Sequence, residues 1–95
     1  MHHGDMDRRA VDVVITGRVQ GVFFRARTQE QAARLGVAGW VANQPDGSVA
    51  GHFEGARDDV ERLLDWCRSG PEYARVEHVR VTDTEPGGAG GFDVR

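Results

Sequence analysis

Apolar positions alternate near the start of the chain and then change period. In "VDVVITG", Val11, Val13 and Ile15 fall on one side of a strand and Val14 on the other, so the segment predicts a strand buried on both faces. Gly17 ends it. From Phe24 the spacing turns helical: Phe24, Thr28, Ala32 and Leu35 share a face, "TQEQAARL" is rich in helix formers, and Gly36 is a natural stop. "VAGWV" reads as a short strand, and "NQPDGS" carries Pro45, Asp46 and Gly47, a strong turn signal. Beyond it, Val49, Gly51 and Phe53 alternate with Ala50, His52 and Glu54. Val60, Leu63, Leu64 and Cys67 then form one apolar stripe, with Asp58 and Asp59 where a helix dipole favours acids and Gly70-Pro71 at the close. "RVEHVRV" predicts a fourth strand, and "GFDVR" a short terminal one beyond the flexible Gly87–Gly91 segment.

The order β-α-β-β-α-β predicts an α+β, ferredoxin-like sandwich: an antiparallel sheet with two helices on one face. Residues 10–95 read as a single domain and residues 1–9 as a flexible N-terminal tail. This topology hosts many functions, so the fold alone assigns none.

Composition narrows the classes. With 12 basic and 15 acidic residues the formal net charge is -3, which disfavours a general nucleic-acid binder. Cys67 is the single cysteine, so an internal disulfide is excluded and a reducing compartment is compatible. No apolar run reaches membrane-helix length, and "MHHGDMDRR" lacks the apolar core of a signal peptide; the expectation is a cytoplasmic protein without membrane contact. His2, His3, His52 and His78 lack metal-ligand spacing, so no metal or other cofactor is expected. Cys67 reads as core, Trp40 and Trp66 as packing residues, and Ser48 and Ser69 have no visible His and Asp partners.

Charge is unevenly spread. Between Asp12 and Glu30 there is no acid, while Arg18, Arg25 and Arg27 place a local positive charge around "GRVQGVFFR". Two glycines frame a turn that ends at a helix N-terminus, where N–H groups lack partners and the dipole favours anions. These features suit a phosphate seat, and they equally suit a tight turn with solvated arginines; the spacing is not that of a P-loop. Asn43, at a strand end, offers a donor and an acceptor together, or simply begins its turn.

The residues carry a resemblance. "ITGRVQGVFFR" is similar to the first signature of the acylphosphatase family, and "GWVANQPDGSVAGHFEG" to the second, with an aromatic after Gly39 and then Asn43, Gly47, Val49 and Gly55. "LGVAGWV" and "GPEYARVEHVRV" also read like the family, so the resemblance runs from Val11 to Arg95. It implies hydrolysis of acyl phosphates to a carboxylate and inorganic phosphate without a metal, and a monomer is the default expectation. By position it implies Arg25 and Asn43 as catalytic residues and the backbone of Gln20, Gly21, Val22, Phe23 and Phe24 as the phosphate cradle. Phe23 falls in a variable slot, where its ring would shape the pocket mouth.

Two rivals share the topology. RNA-recognition domains display aromatics on the sheet, whereas Phe23 and Phe24 fall at a strand–helix junction. A regulatory domain without turnover is disfavoured by the presence of both Arg25 and Asn43.

Overall fold

The computed structural model describes residues 7–95. Strand β1 (Arg8–Arg18) leads into helix α1 (Phe24–Leu35); β2 (Ala38–Asn43) and β3 (Val49–Ala56) form a hairpin; helix α2 (Arg57–Ser69), β4 (Arg75–Asp83) and β5 (Phe92–Val94) follow. Arg8 and Arg9, expected within a tail, are strand residues opposite Ala56 and Gly55. Arg9 also bonds Glu61 and Asp83, each at 3.1 Å. The rest of the expected tail, Met1 to Met6 with its two histidines, lies outside the described residues.

The strand order is β4-β1-β3-β2-β5. The first four strands pair antiparallel, as the sequence pattern requires. The terminal strand adds a parallel edge: Gly39 faces Phe92 and Val41 faces Val94. Its direction follows from connectivity. The segment after β4 passes from one sheet edge to the other, so β5 starts at the end where β2 also starts.

Both helices cover one face. Val11, Val13, Ile15, Val41, Val49 and Phe53 meet Phe24, Ala32, Val60, Leu63, Leu64 and Cys67 in one buried cluster. The expected burial of β1 on both faces is corrected: Asp12 is exposed and Val14 only half-buried, because the helices lie on the same side and leave the other open. Cys67 is core, and burial pushes its thiol pKa up to about 12. Trp66 sits beside the stripe, its ring 5.7 Å from that of Phe24. No helix among the described residues is long and apolar enough to cross a membrane.

Candidate active site

The glycine-framed loop is shaped by its two ends. The pairing of β1 with β4 shifts register between Thr16 and Gly17. Gly17 has φ 124°, and a Cβ there would collide with the carbonyl oxygen of Arg75, so only glycine lets the strand turn out at this point. The chain then descends through Val19, which is buried, and rises again through Gly21 at φ 75°. Phe23 follows at φ 63°, the single non-glycine residue with positive φ among the described residues. Such a conformation costs a bulky side chain about 1–3 kcal/mol and is kept where surroundings impose it.

Here the surroundings are apolar anchors. Val19 and Phe24 are buried and Val22 packs against the core, so three side chains anchor the loop from within. The backbone amides of Gln20 to Phe24 consequently donate to no backbone oxygen outside regular elements among the described residues. Phe23, in place of a capping side chain, precedes α1, and the first turn of α1 holds no acid. The start of α2, by contrast, carries Asp58 and Asp59. The first helix therefore keeps its N-terminal positive potential for something other than its own side chains.

The loop is tied to the β2–β3 turn by one side chain. Gln20 donates its Nε2 to the carbonyl oxygens of Gln44 and Ser48, both at 2.8 Å. The turn is itself braced: the amide of Gln44 donates to Ser48 O at 2.8 Å, and Ser48 donates its Oγ and N–H to Asp46 Oδ1 at 2.6 and 2.9 Å. Those bonds, the hydroxyl first and the amide second, hold the Asp46 carboxyl below its ordinary range. Asn43 stands at the end of β2, opposite Val49, directly before this turn.

Arg25, half-buried in the first turn of α1, donates Nη1 to the main-chain oxygen of Arg95 at 2.5 Å. A guanidinium has five N–H donors, so this contact fixes the side chain and leaves most of the fork for a ligand. The Arg95 amide donates to Val41 O at 2.8 Å, and its guanidinium lies 4.7 Å from the centroid of the Trp40 ring. Arg27 pairs instead with Glu30 at 3.0 Å, so it does not add to the local positive charge in the way the sequence suggested.

Gly21, Phe23, Phe24, Arg25 and Asn43 line a single cavity of about 290 Å³ together with Val19, Ala26 and Val94. The other two loop candidates point elsewhere: Gln20 into its bond with the turn, Val22 onto the core. Phe23 is 76% exposed and stands at the cavity mouth, where Val94 adds a second apolar wall. The side-chain role of Gln20 and the contributions of Val94 and Arg95 were not found from sequence. A glutamine inside an otherwise apolar, glycine-framed loop was the available signal for the first; nothing local marks the other two, which are set by where β5 docks. A larger groove of about 550 Å³ runs between α1 and β5, lined mainly by small apolar residues. It contains neither Arg25 nor Asn43 and brings no titratable cluster together.

A family model described as Acylphosphatase matches residues 11–94. An acylphosphatase of Rubrobacter xylanophilus is 56% identical over 89 residues, covering 92% of this chain and 80% of the relative. One from a Nocardioides species is 54% identical over 92 residues, covering 97% and 92%. Among solved structures, an acylphosphatase from Coxiella burnetii superposes with a TM-score of 0.93 at 33% identity, over 100% of both chains.

Proposed function

The chain belongs to the acylphosphatase family, and from that premise we propose that it hydrolyses acyl phosphates in the cavity lined by Arg25 and Asn43, with the backbone of Gln20 to Phe24 as the phosphate cradle. The observation that carries this reading is convergence. Two residues from separate signatures, one opening α1 and one closing β2, share one cavity with the unpartnered loop.

An acyl phosphate is already activated, because a carboxylate is a good leaving group. The protein's task is to position the reactants and to stabilise charge on the phosphoryl oxygens. Loop amides and the Arg25 fork are fixed before substrate arrives, so they need little reorganisation as charge shifts. Asn43 holds a water in line with the leaving carboxylate. The water oxygen bonds to phosphorus, the phosphorus–acyl oxygen bond breaks with its electron pair leaving on the carboxylate, and a water proton passes to a phosphoryl oxygen. Neither Arg25 nor Asn43 is a usual general base, which is why the substrate's own oxygens take that proton. The products are a carboxylate and inorganic phosphate.

The test is phosphate release from an aromatic acyl phosphate beside a phosphate monoester of the same size. Fast release from the first, slow release from the second and competitive inhibition by inorganic phosphate support the reading. Equal rates on both would point to a general phosphatase and overturn it.

A further inference from the structure

Glu54 has no place in the cavity, yet it is the most buried acid among the described residues, with 2% of its surface exposed. Its position in β3 alternates with Phe53, which faces the helices, so its side chain projects onto the open face. The segment between β4 and β5 covers it there. Glu54 accepts the amide of Gly87 at 2.6 Å and that of Ala89 at 2.5 Å, and His52 Nε2 lies 3.0 Å from its Oε2. His52 Nδ1 in turn is 2.9 Å from Asp12 Oδ1 on β1.

The covering segment is unusual for what it must do. Gly87, Gly88, Gly90 and Gly91 give it the largest conformational entropy to lose. It leads directly into β5, which has only three residues and one pairing partner. Phe92 is held by Gln29, whose Nε2 donates to its carbonyl oxygen at 2.9 Å, and by its ring, 5.9 Å from that of Phe53; the rest of the strand is positioned at its two ends. At the first, Gly91 O accepts the Gly39 amide at 2.8 Å, next to the Glu54 anchor. At the second, Arg95 O accepts Arg25 Nη1. Val94 between them walls the cavity.

We propose that Glu54 is a positioning residue for the reaction: by anchoring Gly87 and Ala89 it fixes the path of β5, and through Val94 and Arg95 it holds the cavity wall and the Arg25 guanidinium in place. Glu54 sits at the end of the sheet away from the cavity and touches no reacting atom. Its effect is transmitted by the strand that connects the two ends. The proposal rests on the reading of Arg25 given above.

The experiment compares Glu54→Ala, Glu54→Gln and a chain lacking Arg95, alone and combined, in acyl phosphate hydrolysis at a temperature where each is folded. Glu54→Ala is expected to lower kcat/KM by about ten- to a hundredfold, the scale for a small misplacement of a catalytic group. Glu54→Gln, which keeps the size and one acceptor oxygen, shows a smaller loss and serves if the alanine variant does not fold. In the chain lacking Arg95, removing the Glu54 carboxylate costs less activity than in the full chain, because the route to Arg25 is already cut and only the Val94 wall is left to shift. Amide exchange at Val94 and Arg95 accelerates in the Glu54 variants, while that of β1 and β3 does not. A folded Glu54 variant with lower melting temperature but unchanged kcat/KM overturns the proposal, as do losses that multiply in the combined variant. If Arg25→Ala kept full turnover, the reading of the cavity would fail first; if it lost turnover and the Glu54 variants did not, only this inference fails.

Discussion

Gln20 donates to the carbonyl oxygen of Ser48 at 2.8 Å, and so joins the glycine-framed loop to the turn that follows Asn43. The same amide reaches Gln44 O at 2.8 Å. Two halves of the proposed site, distant in sequence, are thereby held in one register by one side chain. Gln20→Ala removes this donor from two carbonyls that keep backbone partners, the Gly47 amide on Gln44 O and the Gln44 amide on Ser48 O, and is expected to cost about 0.5–1.5 kcal/mol of stability. Urea denaturation measures that loss, and kcat/KM at a temperature where the variant is folded is expected to fall as well. A stability loss with unchanged turnover would make the bond purely structural.

Asn43 and Arg25 are assigned different tasks, and a substitution separates them. Asn43→Ala is expected to lower kcat by about 10²–10³, the usual cost of losing one preorganised polar group. The inhibition constant for inorganic phosphate should stay near the wild-type value, because Arg25 and the loop amides remain. Collapse of phosphate affinity in Asn43→Ala would show that the division of roles is wrong.

Much of this was legible in the sequence for identifiable reasons. The alternation in β1 and β3 and the stripe Val60–Leu63–Leu64–Cys67 report which face meets the core, and those residues are buried as expected. What escaped was long-range. Glu54 occupies a position whose alternation predicts an open face, and it is buried only because a glycine-rich segment crosses above it. Val14 is apolar and Arg27 is basic, yet neither does what its type suggests: the helices leave Val14 half-covered, and Glu30 takes Arg27. The parallel direction of β5 depends on the path of the connection, which periodicity does not encode. Within the site, spacing could suggest a loop and a helix start, while the meeting of Arg25 with Asn43 needed the strand order.

Phe23 holds a left-handed conformation with its ring 76% exposed, so little burial offsets the strain. Phe23→Gly removes a penalty of roughly 1–2 kcal/mol and adds backbone entropy worth roughly 0.5–1 kcal/mol to the unfolded chain. The variant is expected to gain a few tenths to ~1 kcal/mol in chemical denaturation. KM for a bulky aromatic acyl phosphate should rise relative to that for a small one, since the mouth loses its ring. A destabilised variant would mean that Phe23 makes contacts beyond those at the cavity mouth.

The cluster Asp12–His52–Glu54 predicts how stability varies with pH. Partial burial lowers the His52 pKa, but bonds to Glu54 and Asp12 and their charges outweigh it, so the pKa lies above the ordinary 6.5. Burial raises Glu54, but the bond to His52 and the amides of Gly87 and Ala89 bring it below the ordinary 4.5. The stabilisation from His52 is thus complete below pH 6.5 and is lost as pH rises through the raised value. That from Glu54 is complete above pH 4.5 and is lost as pH falls through the lowered value. Urea midpoints across the neutral range should decline on the alkaline side for wild type, and the decline should be smaller in His52→Gln. Parallel curves for the two proteins would remove His52 from the account.

Whether this loop and Arg25 perform the hydrolysis is decided by one comparison. Turnover of an aromatic acyl phosphate is measured with a chelator present for wild type, Arg25→Ala and Arg25→Lys, each verified as folded. Wild-type turnover should survive chelation, and Arg25→Ala should lose at least about 10²–10³ of it. Arg25→Lys should fail nearly as badly, because a point charge cannot replace a planar fork. A folded Arg25→Ala protein that hydrolyses the substrate at the wild-type rate would show that Arg25 is not part of the catalytic machinery.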